Sequence, residues 1–179
     1  MHTLLKASLE RAMQALNNHA KRVKHVNMNM YDNVDESTFR SFLLAEIMRR
    51  ERNAMCQTEW HRSDLLVQLG RAAALVEIKF YFTRRTYSLD GTGSGWKGGP
   101  GSKNEAEFEK CIDKLRHSDL PEITHKFLVL VYFCGTIKER GSRSYGSSYD
   151  DVRRFGLTTV KTIEHCDSQS VACKLIRVE

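Results

Sequence analysis

Eight consecutive residues, Phe127–Cys134 (FLVLVYFC), are all apolar and rich in aromatic and β-branched side chains. A run of strand length with no polar residue at alternate positions has no solvent face, so it reads as a strand buried on both sides. Such a strand needs partners beside it and a covering layer above and below. The chain offers helices for those layers. Leu5, Leu9, Met13, Leu16, Ala20 and Val23 recur at steps of three and four and line one face of an amphipathic helix, opposite Lys6, Arg11, Lys21 and Arg22. Asp35 or Ser37 caps a second helix running to about Arg52, in which Phe39, Phe42, Leu43, Glu46 and Ile47 share a face. A Ser102–Glu105 capping box opens a third, with Phe108, Cys111, Ile112 and Leu115 inward and Pro121 closing the unit.

Between the helices, Thr58–Val67 and Ala72–Phe82 read as strands joined at Gly70 in a β-hairpin, preceded by a short strand around Asn53–Gln57. Leu89–Lys103 holds most of the glycines and reads as a mobile surface loop, as does Gly141–Ser148. Tyr149–Phe155 reads as a short helix and Val171–Val178 as a last strand. The expected class is α/β, a mixed sheet flanked by helices in a single domain. Residues 1–34 would form an N-terminal helix and its connection, and residues 35–179 the α/β body.

With 41% hydrophobic and 28% charged residues, the 179-residue chain has material for a core, which excludes disorder throughout. No stretch reaches the roughly 18–20 apolar residues of a spanning helix, so no membrane partner is expected. The N-terminus lacks a secretory signal pattern, and five cysteines without a C-x-x-C pair point to a reducing, cytoplasmic compartment. A net charge of +6 is compatible with a polyanionic partner without requiring one.

The chemistry-bearing residues lie on the hairpin. Glu77 and Lys79, two apart in a strand, project to one side, and counting outward from Gly70 brings Asp64 nearly opposite Glu77. Glu46, on the apolar stripe of the second helix, packs over the same patch in this reading. Two or three carboxylates around a lysine suit phosphodiester hydrolysis. Hard oxygen ligands hold Mg²⁺ or Mn²⁺, which neutralises phosphate and lowers the pKa of a bound water, and the lysine orients that water or, if its own pKa falls, helps to deprotonate it. Arg84, Arg85, Trp96, Lys97 and Lys103 flank the cluster in sequence and are candidates for holding a nucleic-acid backbone.

A helix bearing Glu46, then Asp64, then Glu77-Ile78-Lys79, then a helix and a buried strand, resembles the PD-(D/E)xK nuclease superfamily, with Ser63 in the place of the motif's proline. The resemblance spans roughly Asp35 to Cys134 and implies a restriction-endonuclease-like αβββαβ core, here with an extra N-terminal helix. It implies Asp64, Glu77 and the backbone carbonyl of Ile78 as metal ligands, Lys79 as the water-positioning residue and Glu46 as the helix carboxylate. The activity implied is Mg²⁺- or Mn²⁺-dependent cleavage of DNA rather than RNA, with a homodimer or a protein partner supplying specificity. The competing expectation is a nuclease-fold protein that binds nucleic acid, or builds a complex, without cutting.

Overall fold

The computed structural model describes residues 1–23, 34–82, 84–90, 94–97, 101–134, 149–166 and 170–179. The helices are α1 (His2–Val23), α2 (Glu36–Arg50) and α3 (Ser102–Arg116). The strands are β1 (Met55–Trp60), β2 (Ser63–Leu69), β3 (Ala72–Tyr81), β4 (Arg84–Tyr87), β5 (Ser94–Lys97), β6 (His125–Phe133), β7 (Thr158–Cys166) and β8 (Ser170–Arg177), with a 3-10 turn at Val152–Phe155. Six strands form one mixed sheet in the order β1-β2-β3-β6-β8-β7, and β4 and β5 pair separately. Only the β3–β6 pairing is parallel among these, and α3 lies in the connection between them.

The buried run behaves as its composition requires. From Phe127 to Phe133, every residue of β6 is buried, between β3 on one side and β8 on the other. The two covering layers follow from side-chain alternation along β3. Phe80 meets Phe39 of α2, with ring centroids 6.3 Å apart, whereas its neighbour Tyr81 meets Phe108 of α3 at 6.5 Å. Adjacent strand residues face opposite ways, so α2 and α3 cover opposite faces of the sheet. The α1 stripe Leu5, Leu9, Met13, Leu16 and Ala20 is buried in the same core, and His2 packs edge-on to Phe127 of β6. Since Phe127 pairs with Val76, on the Phe80 side of β3, α1 lies in the α2 layer.

Several sequence expectations need correction. The stretch expected as one strand, Thr58–Val67, is two: β1 and β2 meet in a two-residue turn at His61-Arg62, with Trp60 paired to Ser63. Both turn residues have positive φ, +46° and +65°, the pattern of a type I′ turn. That turn normally advertises itself through Asn or Gly, and neither is present, so composition hid it. Arg62→Gly relieves one left-handed non-glycine residue. It is expected to stabilise the fold by about 1 kcal/mol, a Tm gain of about 2–4 °C in calorimetry; a Tm loss would mean that the Arg62 side chain contributes more than its backbone costs.

The Leu89–Lys103 segment is not all loop, because it contains β5 and the first residues of α3. Nor does the Ser102–Glu105 capping box form. Gly101 is the N-cap without a side-chain bond, and Glu105 instead pairs with Arg154 at 2.8 Å. At α2 the choice between two caps falls on Asp35, whose carboxylate accepts from the Thr38 N–H at 2.8 Å. The short helix at Tyr149–Phe155 is reduced to the 3-10 turn, β7 was not anticipated, and the Gly141–Ser148 segment lies outside the described residues. Among the described residues, no helix is long and apolar enough to cross a membrane.

Candidate active site

The hairpin register delivers the carboxylates. Between β2 and β3, Leu65 pairs with Val76, so one step further sets Asp64 across from Glu77, with Lys79 on the Glu77 side of β3. The regular ladder ends at that Leu65–Val76 pair. Beyond it, the Ile78 N–H donates to Asp64 Oδ2 at 2.6 Å, so a side chain takes over where a strand carbonyl would accept. Asp64 is thereby held in the seam between two strands, within reach of both layers.

Each layer contributes a cation that was not foreseen. From α2, Arg40 bonds to Glu59 and lies 3.5 Å from Asp64 Oδ1. Thr58 pairs with Leu65 and Trp60 with Ser63, which leaves Glu59 opposite Asp64. Two carboxylates facing each other across strands repel, and Arg40 is the counter-charge between them. From α3, Lys114 donates to Glu77 Oε2 at 2.5 Å and to the Arg62 carbonyl at 2.9 Å. Lys79 lies 3.3 Å from Glu77 Oε1, and the Cys111 thiol contacts the same oxygen at 3.6 Å. Cys111 and Lys114, three apart, share the α3 flank next to its buried Phe108, Ile112 and Leu115.

The helix carboxylate whose charge is coupled to the cluster is Glu36. It interacts electrostatically with Lys79, Asp64 and Glu77, and burial raises its pKa to about 7 against the partial offset from Lys79. Glu46 goes elsewhere: its Oε2 accepts from Arg49 Nη2 at 2.8 Å. Ten residues of helix separate it from Glu36, roughly 15 Å along the axis. Glu36 was legible as the residue three before buried Phe39 and four before Arg40, but that spacing matters only once the first turn of α2 is known to abut β3.

Charge states in the cluster follow from its burial. Desolvation also raises the Asp64 pKa, although the Ile78 N–H favours the anion. For Lys79, burial pulls the pKa down, but the surrounding acidic groups Cys111, Glu77, Glu36 and Asp64 prevail and hold it above the ordinary lysine value. At neutral pH the carboxylates carry this effect, because burial pushes the Cys111 thiol up as well. These acidic neighbours favour the Lys79 ammonium, which is suited to orienting water or stabilising negative charge. Glu36 gives a pH signature. Its raised folded-state pKa means that its contribution to stability is complete below about 4.5 and is lost as pH rises through about 7. Glu36→Gln is expected to gain Tm over the parent progressively across that interval, and a pH-independent difference would contradict a carboxyl held neutral by the fold.

Of the candidate nucleic-acid contacts, Lys103 is exposed in the first turn of α3. The other four are brought together by the β4–β5 register, which pairs Arg84 with Lys97 and Arg85 with Trp96. This small hairpin occupies the connection between β3, which bears Lys79, and α3, which bears Lys114.

The donor chemistry fits a hard divalent cation, since Asp64, Glu77 and Glu36 present only carboxylate oxygens. The spacing is not that of a formed site: among the described residues, no three His, Cys, Asp or Glu side chains group closely enough to hold a metal ion. Lysine and arginine side chains occupy the carboxylates instead. Compared with protein-family models, curated proteins and solved structures, the chain matches none of them.

Proposed function

We propose that this chain is a Mg²⁺- or Mn²⁺-dependent nuclease of the PD-(D/E)xK kind that hydrolyses phosphodiester bonds in DNA. The observation that carries the reading is the register setting Asp64 across from Glu77, with Lys79 beside Glu77 and Glu36 completing the acidic set. The element order α2, β1, β2, β3, α3, β6 supports it, being the αβββαβ order with the β4–β5 hairpin inserted before the second helix. A binding surface for a polyanion has little use for two carboxylates set across from each other on one sheet face, because they repel phosphate unless a cation stands between them.

In this reading Asp64 and Glu77 hold the metal, with the Ile78 carbonyl as a further ligand. Glu36 takes the supporting place that the sequence motif assigns to Glu46. A hard divalent ion, when bound, supplies charge neutralisation at the phosphate and acidifies water. The chain's own groups do the rest. Lys79 orients the attacking water and stabilises charge on the phosphoryl oxygens. The Ile78 N–H holds Asp64 in place through Oδ2. This reading gives the role of gripping the backbone to Arg84, Arg85, Trp96, Lys97 and Lys103.

A second reading, a nuclease-fold subunit that binds nucleic acid without cutting, draws on one observation: Glu77 is already neutralised by Lys79 and Lys114. The discriminating experiment incubates the protein with plasmid, linear duplex, single-stranded DNA and RNA, with Mg²⁺ or Mn²⁺, beside Asp64→Ala. Metal-dependent cleavage lost in Asp64→Ala supports the nuclease; cleavage that survives the substitution, or none on any substrate, overturns it.

A further inference from the structure

Away from the acidic cluster, one corner of the sheet gathers positive charge. Ala74 of β3 pairs with His125, and Phe127 of β6 pairs with Arg177 of β8, so His125, Phe127 and Arg177 share the face covered by α1. The first turn of α1 packs there. The His2 ring lies 5.4 Å from that of His125 and 5.1 Å from that of Phe127, and Lys6 stands one helical turn further on. Glu77 projects from the opposite face, toward Cys111 and Lys114 of α3.

Two features of this corner have no explanation in the fold. His2 Nε2 is buried without a hydrogen-bond partner among the described residues, a costly state unless water or a ligand completes it. The cations also lack counter-charge. Burial lowers the pKa of both imidazoles, and the largest charge effects on them, among them Arg177 on both and Lys6 on His2, push the same way. The carboxylate beside Arg177 is that of Glu179, 3.4 Å away and 81% exposed, and so open an ion pair adds little. Against the same corner lies a cavity of about 350 Å³, lined by Thr124, His125, Lys126, Arg177 and Glu179 among others.

We infer that this corner is an anion site, in which His2, Lys6, His125 and Arg177 bind a phosphate group, free or carried on a small organic molecule. The sign of the local field decides against a metal ion. Paired imidazoles are common metal ligands, but the cations around these two repel a metal and attract an anion. Phosphate matches the donors: the Arg177 guanidinium presents a fork for two oxygens, the Lys6 ammonium a point charge, and each imidazole an N–H. The cavity is of the size that takes a small ligand, which leaves room for the group bearing the phosphate. This inference stands independently of the nuclease reading, since the two sites lie on opposite faces of the sheet.

The test titrates the full chain with inorganic phosphate, ribose 5-phosphate and ribose at constant ionic strength, read by calorimetry and by the histidine ring signals in nuclear magnetic resonance spectra. At least one of the two phosphates is expected to bind with a Kd of about 1 mM or tighter and to move the His2 and His125 signals, while His117 on α3 stays in place and ribose does not bind. Tighter binding of ribose 5-phosphate than of inorganic phosphate identifies an ester as the ligand; otherwise the ligand is free phosphate. Arg177→Gln is expected to weaken binding by about tenfold or more, the scale of losing one charge-assisted hydrogen bond. Lys6→Gln is expected to weaken it in the same direction, and serves as the second variant should Arg177→Gln fail to fold. Binding of neither phosphate, ribose binding as tightly as ribose 5-phosphate, signals that move only at histidines other than His2 and His125, or undiminished affinity in the folded variants overturns the site.

Discussion

Lys79→Met is expected to lower metal-dependent phosphodiester cleavage by about 10²- to 10³-fold in kcat, the scale of losing one charge-stabilising donor at a reacting centre. The loss should fall on kcat and not on substrate affinity, because the candidate backbone-gripping residues lie on β4, β5 and α3. It should also spare the fold. Glu77 keeps its 2.5 Å bond to Lys114, so removing Lys79 strands no buried charge. The measurement is single-turnover cleavage at saturating protein, alongside circular dichroism of the variant. A variant that cuts at the parental rate would take Lys79 out of the chemistry.

Phe39→Ala carries the largest expected effect on stability. Phe39 is fully buried in α2 and packs against Phe80 of β3. Truncating a buried phenylalanine costs about 3–5 kcal/mol in lost transfer energy and cavity formation, which for a chain of this length lowers Tm by about 6–20 °C. The consequence reaches the site, because Phe39 stands next to Arg40 and three residues after Glu36. Loosening this anchor frees the helix turn that brings Arg40 to within 3.5 Å of Asp64. Chemical denaturation of Phe39→Ala beside Phe42→Ala makes the comparison, since Phe42 is only partly buried. Equal losses in the two variants would mean that α2 is not anchored at its first turns.

Much of this architecture was legible because it follows from local periodicity. The α1 stripe, the buried β6 run and the Gly70 hairpin each rest on spacing within a dozen residues, and the hairpin count alone placed Asp64 across from Glu77. What escaped depends on contacts distant in sequence. Glu46 was the natural helix carboxylate because it follows Phe42 and Leu43. The buried face of α2 is in fact Phe39, Leu43 and Ile47, and the turn that lies near Asp64 is the first, through Arg40. Which end of a helix meets a strand end is a property of packing, and periodicity is silent on it. Arg40 and Lys114 were hidden for the same reason. Lys114 is 37 residues from its partner Glu77, and in sequence it looks like any solvated lysine on a helix. The His61-Arg62 turn escaped for a different reason, since neither residue is one that a left-handed turn favours.

The tight turn at the far end of β2 and β3 has a consequence for the chemistry. Leu69 pairs with Ala72 across Gly70 and Arg71, and Gly70 alone of the two takes a positive φ, +59°. Thr124 clasps the same end, its N–H and hydroxyl both donating to the Ala73 carbonyl at 2.9 Å and its hydroxyl accepting from the Ala73 N–H at 3.0 Å. Side chains alternate with a period of two, so the match between Asp64 and Glu77 is a matter of parity, decided at the turn and carried unchanged up the ladder. An even slip would keep both carboxylates on one face but out of step, and an odd one would turn them to opposite faces. The turn thus works as the counting origin of the cluster, and residues distant from both carboxylates settle whether the acids meet.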